Sequence, residues 1–260
     1  MNHQATDHEL PAEQEFWVAA IEVLTQTVDE LGQVSWQGAT PQAADQIAKE
    51  NRRRADQILS ALDIGVPIGR IYLDTDEDYR IGRVGIHHGA DHLVVDWRAE
   101  IAALYYRATL AEPHGVTKKR DYVREGNEIR DFADVLIGEL TAQIDETAAI
   151  GPPSDSLLAD LERHRTGRMR DIVATIQAAQ FHLVESEPNS LMVVQGGPGT
   201  GKTVIALHRV SRILFNREDL TAADFLVIGP NQTFMSYIQH VLPDLGDSEI
   251  TQRSVTALAG

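Results

Sequence analysis

The chain contains no cysteine in 260 residues, which excludes disulfide bonds and thiolate metal sites. It also lacks an apolar run approaching the roughly 20 residues that a membrane-spanning helix needs. Its first residues, MNHQATDHEL, lack the basic and apolar segments of a secretory signal. Hydrophobic residues at 43% and charged residues at 24% are ordinary for a globular protein. The expected protein is cytoplasmic, has no membrane partner, and is long enough for one large domain or two smaller ones.

Basic residues are scarce, with 23 Lys and Arg against 39 Asp and Glu and a formal net charge of −16. A strong nucleic-acid binder neutralises phosphates with clustered Lys and Arg. The acidity therefore predicts that nucleic-acid contact is weak or indirect. Solubility alone or a basic protein partner would each explain the charge, which does not choose between them.

A phosphate-binding pattern is present at residues 196–203, which read Gly-Gly-Pro-Gly-Thr-Gly-Lys-Thr and match G-x-x-x-x-G-K-[ST]. An apolar stretch from Leu191 precedes it as a predicted strand, and a helical apolar pattern follows from Val204. Glycines let backbone amides approach an anion, and the helix N-terminus adds a positive end. The arrangement indicates a nucleoside triphosphate site. The alternative is a glycine-rich turn that only resembles one.

Two residues of this pattern carry the predicted chemistry. Lys202 is expected to contact the β- and γ-phosphates, and the Thr203 hydroxyl is expected to complete the coordination of magnesium. These are the predicted catalytic residues, with Thr203 as the metal ligand. The full predicted phosphate-binding set is Gly197, Pro198, Gly199, Thr200, Gly201, Lys202 and Thr203.

Residues 11–65 are predicted to form an antiparallel coiled-coil hairpin. Pro11 suits a first helical position, and Glu13 and Glu15 then lie in the favourable first turn. The second helix is expected to open at Thr40-Pro41, a cap followed by a first-turn proline. Apolar residues recur at heptad spacing in the first helix: Trp17, Ile21, Leu24, Val28 and Leu31. Such a hairpin is either a packing element or a probe into a partner, and composition favours packing.

Residues 66–150 are predicted to form a small β-rich unit, with short alternating strands up to Val123 and a helix over 132–150. Gly151-Pro152-Pro153 is a natural joint. Residues 151–260 contain a predicted helix over 169–185, then the phosphate-loop strand and a buried strand over 224–230. Strand and helix alternate there, so the fold class is α/β with a parallel C-terminal sheet.

Several stretches together resemble the HelD family, which comprises RNA-polymerase-associated, UvrD-like helicase-like ATPases of superfamily 1. The resemblance covers nearly the whole chain from Glu13 and is that of the N-terminal part of such a protein. The stretches are VVDWR at 94–98, RTGRMRDIVATIQAAQ at 165–180, VVQGGPGTGKT at 193–203 and IGPNQTF at 228–234.

The resemblance implies a hairpin that enters the secondary channel of RNA polymerase, a β-rich unit, and a two-lobed motor whose first RecA-like lobe begins near residue 151. It implies ATP and magnesium as cofactors, core RNA polymerase as partner, release of stalled polymerase, and rifampicin tolerance in some bacteria. Gln180 matches the glutamine that reads adenine in superfamily 1. Pro230-Asn231 and Phe234 match a stretch that touches single-stranded DNA in true helicases, although a structural turn explains them equally well.

Trp36 is the predicted partner-binding residue, because a large apolar ring in the short polar turn has little of its own domain to pack against. The competing interpretation is that Trp36 folds back over Val34 and closes the turn. Asp96, Trp97 and Arg98 are expected to form a buried, salt-bridged corner.

No apolar strand ending in Asp-Glu follows Lys202 before Gly260. The chain is therefore expected to be part of a longer motor, to bind nucleotide weakly by itself and not to hydrolyse it. Two other functions remain open. One is a UvrD-like DNA-repair helicase, and the other is a protein-interaction module with a vestigial nucleotide site.

Overall fold

A computed structural model describes residues 3–33, 40–137, 178–197, 199–241 and 250–258. Helix α1 spans His3–Gln33 and helix α2 spans Pro41–Ile64. The predicted helix start at Pro11 is wrong, because Pro11 lies inside α1. A proline removes one amide donor and its ring crowds the preceding turn, which weakens a helix without having to end it. The predicted start of α2 is confirmed: the Thr40 hydroxyl accepts a hydrogen bond from the amide of Ala43 at 3.3 Å, with Pro41 as the first helical residue.

The base of the hairpin packs on a sheet. Trp17, Ala20 and Leu24 of α1 are buried together with Ile58 and Ala61 of α2. The sheet residues in the same cluster are Val66, Ile86, Val94 and Ile129. Beyond this base no residue that the structure describes in the hairpin, over 25–33 and 40–57, is fully buried. The predicted tip at Trp36 lies outside the described residues.

Six strands form the sheet: β1 (Pro67–Leu73), β2 (Asp78–Gly82), β3 (Ile86–His88), β4 (Asp91–Asp96), β5 (Val116–Glu125) and β6 (Glu128–Leu136). Their order is β3-β4-β2-β1-β5-β6, antiparallel except for the β2–β4 pair. A short helix, α3 (Ala103–Arg107), lies between β4 and β5. The strands expected in the predicted β-rich unit are thus present between Pro67 and Leu136, while the division of this unit from the rest of the chain stays a prediction.

The helix predicted to start at Phe132 is wrong for its first five residues, because Phe132–Leu136 belong to β6. Strands β5 and β6 pair along their length, with Tyr122 opposite Phe132 and Lys118 opposite Leu136. Phe132 and Val135 are residue types that also suit a strand, and pairing across the sheet decides between the two structures. The rest of the predicted helix lies outside the described residues.

The C-terminal part contains α4 (Ala178–Glu185), α5 (Lys202–Asn216), β7 (Leu226–Gly229), α6 (Gln232–Val241), β8 (Thr251–Ser254) and α7 (Val255–Leu258). A 3-10 turn at Ala222–Asp224 precedes β7. Strands β7 and β8 pair in parallel, which confirms the predicted parallel arrangement for these two strands.

The strand predicted before the phosphate loop is not formed. Residues 191–197 have no regular secondary structure, and Leu191 and Val193 are 94% and 73% exposed. A strand exists through hydrogen bonds to a neighbour, and the sheet of β7 and β8 does not include this segment. Strand β7 is also not fully buried as predicted, since Leu226 and Ile228 are about half exposed.

A second apolar cluster joins the sheet to the C-terminal helices. It runs from Ile71 and Ile81 in the sheet through Tyr106 in α3 to Phe181 in α4 and Leu207 in α5. The sheet therefore serves as a platform for the helices next to the phosphate loop. None of the helices in the described ranges is long and apolar enough to span a bilayer.

Candidate nucleotide site

The predicted phosphate loop, residues 196–203, turns sharply into α5. Gly199 and Gly201 have φ angles of 77° and 83°, in the left-handed region that side chains with a Cβ rarely adopt. Gly201 is the residue immediately before the helix, so Lys202 and Thr203 lie in the first turn of α5. Both are half-buried. Pro198, part of the predicted set, lies outside the described residues.

Lys202 closes the loop on itself. Its ammonium Nζ donates hydrogen bonds to the carbonyl oxygens of Gly196 at 2.8 Å and Gly197 at 2.6 Å. The hydroxyl of Thr200 also donates to the Gly197 carbonyl, at 2.9 Å. The positive charge of Lys202 is thus held against the loop, at the N-terminus of a 15-residue helix. This arrangement concentrates positive potential where an anion can approach.

Gln180 lies beside the loop. A Cβ placed on Gly201 would be 3.8 Å from Nε2 of Gln180. The structure therefore brings α4 next to the phosphate loop, although Gln180 and Gly201 are 21 positions apart in sequence. Over the described residues no three His, Asp or Glu side chains meet as a metal-binding group.

Helices α4 and α5 are tied together by Arg209. Its guanidinium donates to the carbonyl oxygens of Leu183 at 3.1 Å, Ser186 at 2.5 Å and Glu187 at 2.7 Å, and to the Ser186 hydroxyl. These carbonyls are at the C-terminal end of α4, where a cation is favoured by the helix dipole. Sequence analysis missed Arg209, since nothing local marks an arginine of α5 as the cap of another helix.

Comparison with known protein families gives two matches. The family described as DNA helicase IV HelD, N-terminal domain, matches residues 10–149, more than half of the chain. The chain belongs to the HelD family. A second family, described as Schlafen group 3, DNA/RNA helicase domain, matches residues 189–257, which include the phosphate loop. No curated protein matches the chain.

The buried corner predicted at Asp96, Trp97 and Arg98 is confirmed, and it joins the two matched regions of this HelD chain. The Arg98 guanidinium donates to both carboxylate oxygens of Asp96, at 2.9 and 2.7 Å. The carbonyl oxygen of Arg98 accepts hydrogen bonds from Arg212 at 2.7 Å and from Asn216 at 2.9 Å, both on α5. The corner thus holds the far end of the helix whose first turn carries Lys202.

Trp97 packs on a buried histidine of α5. Its ring centroid lies 5.2 Å from that of His208, which is 3% exposed. His208 Nδ1 lies 2.8 Å from the carbonyl oxygen of Val204, and a carbonyl only accepts, so Nδ1 carries the proton. Burial lowers the pKa of His208 to about 4, although the Val204 hydrogen bond opposes this. The neutral imidazole is therefore a packing residue of the corner, which sequence analysis missed.

The segment at Pro230-Asn231 has a structural role. The side-chain oxygen of Asn231 accepts a hydrogen bond from the amide of Phe234 at 2.9 Å, which caps the start of α6. This contact supports the interpretation of the segment as a strand-to-helix turn.

Proposed function

We propose that this chain is the N-terminal portion of an ATP-driven, helicase-like factor that binds core RNA polymerase and remodels or recycles stalled transcription complexes. The observation that carries the nucleotide part is the phosphate loop, with Lys202 folded onto the loop carbonyls and Gln180 beside Gly201. Membership of the HelD family supports a helicase-like ATPase as the full protein.

Each residue of the site suits a part of ATP. The Lys202 ammonium would exchange its two carbonyl partners for phosphate oxygens, which are stronger, charged acceptors. The backbone amides of the loop up to Gly201 would surround the phosphates. Thr203 would bind magnesium through its hydroxyl, with the remaining ligands supplied by phosphate and water. The Gln180 amide both donates and accepts, as the N6 and N7 positions of adenine require. The first RecA-like lobe of a superfamily 1 motor is the fold proposed for this region.

The polymerase part of the proposal depends on the hairpin. Over the described residues of the hairpin, those that are buried against the sheet lie at its base, so α2 from Pro41 to Gln57 provides roughly 25 Å of helix beyond the buried base. A projecting hairpin of this kind suits insertion into a partner, and Trp36 is the aromatic residue placed by sequence at its turn. The formal net charge of −16 favours a protein partner over direct binding to nucleic acid.

Capture of core RNA polymerase tests this proposal. Trp36→Ala should lose on the order of 1–3 kcal/mol of binding free energy while the melting temperature stays within about 1 °C. Val18→Ala, at a 61% exposed apolar residue on the hairpin base, is the control and should bind as the wild type does. Equal capture of polymerase by wild type and Trp36→Ala would remove Trp36 from the interface. A lower melting temperature with unchanged affinity would instead support its packing over Val34.

The family description names a DNA helicase, which favours DNA unwinding as a second candidate function. Strand displacement by the full-length protein without polymerase would support this candidate. Polymerase release by a full-length Lys202→Ala variant at the wild-type rate would instead support an interaction module in which ATP has no role.

A further inference from the structure

An aromatic stack connects the HelD N-terminal region to the helix that carries Gln180. The rings of Tyr106 in α3 and Phe181 in α4 are nearly parallel, at 14°, with centroids 4.5 Å apart. Phe181 is fully buried and Tyr106 is 4% exposed. Tyr106 lies within the matched HelD region, whereas Phe181 directly follows Gln180 in the sequence.

Further contacts fix the direction of α4. Arg107 of α3 lies 3.6 Å from the Glu185 carboxylate, close to the end of α4. Arg209 of α5 also donates hydrogen bonds to the carbonyl oxygens of Leu183 and Ser186, at the end of α4. These two contacts hold the end of α4, while the ring stack sets how the helix is rotated about its axis at Phe181.

Rotation matters because Gln180 and Phe181 are neighbours on one helix, about 100° apart around its axis. With Phe181 held in the core, the Gln180 amide is directed to Gly201. A helical side chain ends roughly 6 Å from the axis, so a rotation of about 20° would move the amide by roughly 2 Å. A displacement of about 2 Å would break a hydrogen bond, because donor–acceptor distances in proteins are about 2.7–3.2 Å.

We propose that Tyr106 is a positioning residue for adenine recognition, acting through Phe181 on Gln180. Base selectivity of the nucleotide site then depends on a residue of the HelD N-terminal region outside the phosphate-loop segment. This inference rests on the proposed ATP site.

Equilibrium dissociation constants for Mg-ATP and Mg-GTP test the proposal in the full chain. Tyr106→Leu should weaken ATP binding about tenfold and leave GTP binding within about twofold, because the loop contacts to phosphate are kept. Gln180→Ala should produce the same loss. The double variant should lose no more than either single variant, because both changes remove one interaction.

Two controls separate positioning from general damage. Tyr106→Phe keeps the ring and removes a hydroxyl that has no hydrogen-bond partner in the described part of the chain. The ratio of the dissociation constants for ATP and GTP should therefore stay at the wild-type value. Ile71→Ala opens the same apolar cluster inside the sheet and should lower the melting temperature without changing the ratio. Phe181→Leu removes the stack from the other side and replaces Tyr106→Leu if that variant does not fold.

The outcomes distinguish this inference from the proposed function. The role of Tyr106 would be overturned, and the ATP site left intact, if Tyr106→Leu and Phe181→Leu keep the wild-type preference for ATP over GTP while Gln180→Ala loses it. Equal weakening of ATP and GTP by Tyr106→Leu would also overturn it. Wild-type protein that binds no ATP, or Lys202→Ala protein that binds as well as wild type, would remove the ATP site and this inference with it.

Discussion

Replacing Glu13 by Gln should be among the most destabilising conservative changes in the protein. Glu13 is 2% exposed, in α1, and its carboxylate accepts four hydrogen bonds from the sheet. The donors are Arg70 Nη1 at 2.6 Å, Arg120 Nη1 at 3.2 Å, Arg80 Nε at 3.2 Å and the Tyr122 hydroxyl at 2.8 Å. Two donors converge on each carboxylate oxygen.

The expected cost follows from this geometry. Glutamine keeps one oxygen but places an NH2 group against the two donors of the other position, so two hydrogen bonds are lost. At about 1.5–3 kcal/mol each for bonds to a charged group, the loss is about 3–6 kcal/mol. Removing one partner of a buried ionic network has a similar cost of about 3–5 kcal/mol.

The pH dependence adds an independent check. Burial raises the pKa of Glu13, but Arg80, Tyr122 and Arg70 together outweigh it and hold that pKa below the ordinary value of 4.5. The stabilisation is therefore complete above about pH 4.5 and is lost as the pH falls through the lower pKa of the folded state. The difference in stability between wild type and Glu13→Gln should shrink over that acidic range.

Urea unfolding of wild type, Glu13→Gln and Glu15→Gln measures these effects. Glu15 is exposed on the same helix, so Glu15→Gln should change the free energy of unfolding by less than about 0.5 kcal/mol. Equal and small effects at both positions would refute the buried network. A difference between wild type and Glu13→Gln that does not change with pH would refute the assigned ionisation.

Three further predictions concern stability. The His208 pKa of about 4 lies below its ordinary value of 6.5, so the unfolded chain binds the proton first as the pH falls. The free energy of unfolding should therefore fall by up to about 1.4 kcal/mol per pH unit from pH 6.5 to 4. In urea titrations, His208→Gln should lack this dependence of the free energy of unfolding on pH. Asp96→Asn should cost about 3–5 kcal/mol in the same assay, because the buried Arg98 guanidinium loses its paired charge, and a loss below 1 kcal/mol would contradict the buried pair. Thr40→Ala should reduce the helical circular dichroism of α2 and cost about 1 kcal/mol, as loss of an N-cap does, whereas an unchanged spectrum and stability would argue against the cap.

Sequence analysis predicted the features that depend on residues close together in the chain. The cap at Thr40-Pro41, the turn at Gly199 and Gly201 and the short-range pair of Asp96 and Arg98 all depend on residues within a few positions of each other. Each was predicted from spacing or residue type, and the structure shows each one.

The features that sequence analysis missed depend on distant residues. Glu13 was interpreted as a helix-start acid, but its partners are 57 to 109 positions away. The segment 191–197 has the composition of a strand, but composition does not supply a paired neighbour. Arg209 and Tyr106 act on α4 only because folding places α3, α4 and α5 together.

Equilibrium binding of Mg-ATP to wild type and Lys202→Ala tests the central claim, that this HelD chain carries a working nucleotide site. Lys49→Ala removes one exposed lysine from α2 and serves as the charge control. We predict saturable binding by wild type and by Lys49→Ala, and a dissociation constant about tenfold or more higher for Lys202→Ala, which loses charged hydrogen bonds to phosphate. Identical dissociation constants for wild type and Lys202→Ala, or no binding by wild type, would contradict it.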